Sequence, residues 1–118
     1  MTVNTSHPID IGTMRSTAHR LLGDDAEPPS PQELETLTLQ LRGHIDLLIP
    51  EVETAALRLP RYYPPRDSAL TSVWVARRLL RSGPPPGAKE HRELAYCLTS
   101  LCDRYQELSG SPAGQGGP

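Results

Sequence analysis

A chain of 118 residues and 13.0 kDa is one small domain, with no room for a second core of ordinary size. Twelve Lys+Arg against fourteen Asp+Glu give a net charge of -2 and a pI near 6.0, which argues against a body held mainly by phosphates, so nucleic acid is an unlikely partner. No apolar run approaches the ~20 residues of a membrane span, and residues 1–30 lack the basic start and apolar stretch of a secretory signal, so the expected place is the cytoplasm, away from membranes.

Leu, Ile and Val supply 25 of the 118 residues, near the lower limit for a self-supporting core, so every apolar face has to be used. Eleven Arg to one Lys, 13 Pro, 9 Gly and no Phe form the bias of a high-GC genome. Cys97 and Cys102 lie five apart on one expected helix and point in different directions, so they read as buried, reduced thiols rather than a disulfide.

Residues 1–8 read as a flexible lead-in, 9–109 as a single helical domain and 110–118, rich in Gly, Pro, Ser and Gln, as a disordered tail. The first helix has Ile11, Met14, Ala18, Leu21 and Leu22 on one face, Asp10 as N-cap and Gly23 where a left-handed C-terminal cap would fall. An acidic, proline-bearing linker follows over 24–29. Ser30-Pro31-Gln32-Glu33 then supplies a capping Ser, Pro at the first helical position and Glu at the third.

From that start Leu34, Leu37, Leu41, Ile45, Leu48, Val52, Ala55 and Leu59 recur with a mean spacing of about 3.6, one continuous helical stripe. Pro50 falls inside it and removes one backbone hydrogen bond, but the unslipped phase predicts a kinked helix rather than a broken one over 30–59. Arg61-Tyr62-Tyr63-Pro64-Pro65 reads as an extended connector. Asp67 or Ser68 is the expected cap of a third helix with Ala69, Val73, Ala76 and Leu80 inward, and Gly83 with three prolines stops it. The fourth helix covers 89–109, with Leu94, Leu98, Leu101, Tyr105 and Leu108 on one face. The expected fold is all-α, a four-helix up-and-down antiparallel bundle.

Three segments carry a resemblance: Arg42-Gly43-His44-Ile45-Asp46-Leu47-Leu48-Ile49-Pro50-Glu51-Val52-Glu53; Pro65-Arg66 through Ala69-Leu70, Val73 and Ala76-Arg77-Arg78-Leu79-Leu80; and Leu101-Cys102-Asp103-Arg104-Tyr105-Gln106-Glu107-Leu108. Together they resemble an actinobacterial, Streptomyces-type family of small helical domains of unknown function, usually named natural product biosynthesis proteins. Arg104 and Trp74 depart from its pattern, where a histidine and a small or polar residue would stand. The resemblance implies a link to secondary-metabolism loci and supplies no reaction, cofactor or catalytic residue.

Named catalytic signatures are missing: there is no paired-cysteine zinc spacing, phosphate loop or nucleophile elbow, and no cofactor or metal is expected. Glu51 and Glu53, two apart on a helix, cannot share a ligand and read as a solvated face. The charge distribution says more. Residues 24–53 sum to -7 and residues 58–81 to +5. On the third helix Trp74, Arg77, Arg78 and Arg81 lie beside the core stripe, an aromatic and guanidinium set typical of binding hot spots. That flank either recognises a partner or pairs with the acidic second helix. Leu39, Leu57, Val75 and Leu79 add outward apolar surface, which points to a homodimer or a dedicated protein partner. The expectation is a non-enzymatic interaction module. Its alternative is a small-molecule-binding or catalytic bundle, with His44, Pro50 and Tyr105 around a pocket at the proline.

Overall fold

The computed structural model describes residues 9–23, 29–81 and 88–110. Four helices follow in order: α1 (Ile11–Leu22), α2 (Pro31–Leu57), α3 (Pro64–Arg81) and α4 (Ala88–Tyr105), the last continued by a π-helical turn, Gln106–Gly110. They form the four-helix bundle expected; α1 and α3 each pack on α2 and α4. The lead-in, most of the acidic linker, the Gly83 stop and the tail from 111 lie outside the described residues, whereas Gly110, placed in the tail from sequence, belongs to the π-helical turn.

Capping chemistry sets the helix starts. Asp10 Oδ1 accepts from the Thr13 amide at 3.1 Å, and Ser30 Oγ from the Glu33 amide at 3.1 Å. Glu33 does not turn back to complete a capping box; its carboxylate takes two bonds from Arg20, at 2.7 and 2.8 Å, and ties α2 to α1. Gly23 is not left-handed. Its φ of -73° and ψ of 132° send the chain out extended, and a Cβ there would lie 2.8 Å from the exposed His19 ring, which would have to swing aside.

α2 runs unbroken through Pro50. Leu37, Leu41, Ile45, Leu48 and Val52 are buried as the stripe requires, but Ile49 and Ala56 join them while Ala55 is only partly covered. On α3 the buried side chains are Ala69, Val73 and Ala76; with Ala95 of α4, these small residues let the helices approach closely. Leu94, Leu98 and Leu101 fill the centre, and Cys97 and Cys102 are buried free thiols.

The third helix starts earlier than expected. Pro64 and Pro65 are its first two residues rather than an extended connector before a cap at Asp67 or Ser68. A proline in the first turn forfeits no helical hydrogen bond, because the amides there have no partner inside the helix. The corner before it is a pair of turns: Leu59 N–H donates to the Ala56 carbonyl at 3.0 Å and Tyr63 N–H to that of Pro60 at 3.1 Å.

Candidate functional site

Val73 and Ala76 anchor α3 in the core and so turn Trp74, Val75 and Arg78 outward. Trp74 is 57% exposed. The Arg78 guanidinium, one turn on, lies over it with its carbon 5.0 Å from the ring centroid, within cation–π range. Arg77 points elsewhere: its two terminal nitrogens reach the Glu53 carboxylate at 3.1 and 2.7 Å. That pair holds the Glu53 carboxyl below its ordinary range and corrects the reading of Glu53 as merely solvated. Arg81, exposed, ends the helix one turn past Arg77. The basic flank is thus divided. Arg77 pairs with α2, whereas Arg78 lies over the exposed ring of Trp74.

Beside them a cavity of about 440 Å³ opens between α3 and α4. Val75 and Leu79 form its α3 wall, Tyr96 and buried Cys97 its α4 wall, and Arg78 and Glu93 bring opposite charges. Burial pushes the Cys97 thiol up to about 11, so it sits there as an uncharged apolar group rather than a nucleophile. Tyr96 and Glu93 were not singled out from sequence. Their signal is a second stripe on α4, Glu93, Tyr96, Cys97 and Ser100, at the 3, 4, 7 spacing of a helix face.

The residues expected around Pro50 are placed apart in role. His44 turns toward α1, where its Nε2 is 3.4 Å from Thr17 Oγ1. Burial lowers its pKa below the ordinary 6.5, against a smaller upward pull from Asp10. Pro50 is exposed on α2, and Tyr105 is partly buried against the core. A second cavity, about 520 Å³, lies between α1 and α4 and is lined by Arg15, Ser16, His19, Leu22 and Thr99. Neither cavity includes His44, Pro50 or Tyr105 in its lining. Among the described residues no three His, Cys, Asp or Glu side chains could hold a metal ion, and no helix is long and apolar enough to cross a membrane.

An exposed tryptophan, a stacked arginine and a neighbouring cavity of mixed lining thus stand together on a four-helix bundle. The chain belongs to a family of unknown function, DUF6415, whose match spans residues 12–110 and so takes in all four helices. Comparison with curated proteins and with solved structures gave no match.

Proposed function

We propose that this protein is a non-enzymatic interaction module, an accessory or regulatory component of actinobacterial natural product biosynthesis, that docks a protein partner on Trp74, Arg78 and the α3/α4 cavity. The observation that carries the reading is the exposure of Trp74 beneath Arg78. A tryptophan buries some 150–250 Å² when covered, so withdrawing its exposed part from water contributes about 2–3 kcal/mol to a complex. Arg78 already occupies one orientation over the ring, which lowers the entropy cost of using it at an interface. Leu39, Leu57 and Val75, exposed as expected, and Leu79, partly covered, add apolar surface on α2 and α3.

Affinity capture from an actinobacterial lysate, with the wild-type chain and Trp74→Ala as parallel baits, tests it. One protein retained in near-stoichiometric amount by the wild type and lost with the variant is the expected result; no Trp74-dependent protein is the contrary one.

A second reading, small-molecule binding, rests on the same cavity, whose volume of about 440 Å³ lies within the range of ~300–1,000 Å³ usual for ligand pockets. A thermal-shift screen against a metabolite extract separates the two. Stabilisation by a metabolite that Leu79→Trp abolishes would favour the ligand reading.

A further inference from the structure

At the opposite end of α3 from the cavity the chain turns from α2 through Arg58, Pro60, Arg61, Tyr62 and Tyr63. Tyr62 is 89% exposed, the most of any large hydrophobic residue described, and Leu57 and Tyr63 beside it are exposed too. The corner is stiff. Besides its two turns, the Arg66 amide donates to the Tyr63 carbonyl at 2.9 Å, and Pro60, Pro64 and Pro65 each fix a backbone angle.

Its charge is mainly positive. Residues 54–67 contain Arg58, Arg61 and Arg66 against one acid, Asp67. The acid before this stretch, Glu53, is engaged by Arg77. Among the described residues none of the three arginines meets a carboxylate, and Arg66 Nε, enclosed by protein, has no acceptor. Arg58, at the C-terminus of α2, suits the dipole of that helix. Arg66 does the reverse: it adds a cation to the first turn of α3, the positive end of the helix, where Asp67 beside it is the residue that suits the dipole.

We propose that this corner is a second docking surface, separate from Trp74, and that its occupant is an acidic segment of a protein. Carboxylates suit the three guanidinium groups, which bind them in two-point fashion, and Tyr62 with Leu57 offers aromatic and apolar contact. A rigid corner loses little conformational freedom on binding. The patch is also small, and Glu51 and Asp46 of α2 are exposed on a chain of net charge -2. A long polyanion or an anionic bilayer would be brought against those carboxylates; a short acidic segment would not. Ten residues of α3, about 15 Å of helix, separate Pro64 from Trp74.

Selection from a phage library of random dodecapeptides tests the proposal with the full chain. Wild type and Trp74→Ala should both enrich peptides rich in Asp and Glu, and the double variant Arg58→Glu, Arg61→Glu should enrich none while keeping the wild-type melting curve. In fluorescence anisotropy a selected peptide should bind Tyr62→Ala about threefold or more weakly and the charge-reversed protein about tenfold or more weakly. Absence of acidic enrichment, or its persistence after charge reversal, overturns the proposal. So does tighter binding of oligothymidylate or phosphatidylserine vesicles than of the selected peptide. Self-association abolished by the same charge reversal would name a second copy as occupant and overturn it equally. Loss of enrichment in Trp74→Ala alone would merge the two surfaces and refute their separation, whereas failed capture by the Trp74 surface with intact acidic enrichment would refute only the docking role of Trp74.

Discussion

Arg78 lies 5.0 Å from the Trp74 ring centroid, while the adjacent Arg77 is bound to Glu53 of α2 at 2.7 Å. Two neighbouring arginines therefore serve different partners, because ~100° of helical rotation sends one toward α2 and the other outward. Only the outward one lies over an exposed aromatic ring.

The Arg77–Glu53 pair should matter little to stability. Its side chains are 45% and 33% exposed, so a double-mutant cycle with Arg77→Gln and Glu53→Gln should give a coupling within ~0.2–1 kcal/mol that shrinks at high salt. A larger, salt-insensitive coupling would make it part of the core.

Burial lowers the pKa of His44 from its ordinary 6.5. The unfolded chain then binds more protons than the folded one between the folded pKa and 6.5, so His44 lowers stability as pH falls through that window. Thermal melts across it should show a decline that His44→Gln reduces. An imidazole titrating above 6.5 by NMR would reverse the sign and contradict this.

Pro50→Ala should stabilise the domain, by up to about 3 kcal/mol, since α2 is helical on both sides and the new amide can donate to the Asp46 carbonyl. Urea unfolding measures the gain. A loss would mean that the helix needs the proline.

Periodicity made the bundle legible. The repeats at Met14/Ala18, Leu41/Ile45/Leu48/Val52 and Leu94/Leu98/Leu101 are the buried faces, because a short chain with few apolar residues has to use each stripe it has. Pro64 misled, since proline stops a helix from within and starts one equally well at its first turn. Gly23 misled in a similar way: a glycine after a helix suggests a left-handed cap, whereas its backbone is extended, a conformation open to any residue. Of the site, Trp74 and Arg78 could be read because neither fits the core spacing of α3. Tyr96 has only the weaker signal of a shared α4 face with Glu93, Cys97 and Ser100, because the cavity that gives this face a role exists only once α3 and α4 are packed side by side.

Cys97 and Cys102, both raised to about 11 by burial, should react slowly with a thiol reagent near neutral pH and faster as pH rises. Kinetics of thiol labelling in the folded protein check this. Rapid labelling of Cys97 near neutral pH would show that the α3/α4 cavity opens further than its packing indicates.

The most direct measurement is titration calorimetry of the captured partner with wild-type protein and with Trp74→Ala, alongside the melting curve of each. A docking role for Trp74 predicts an unchanged melt, because Ala69, Val73 and Ala76 still fill the core, and binding weakened by at least ~30-fold, about 2 kcal/mol. Equal affinity for both proteins, or a domain that melts when Trp74 is removed, would contradict it.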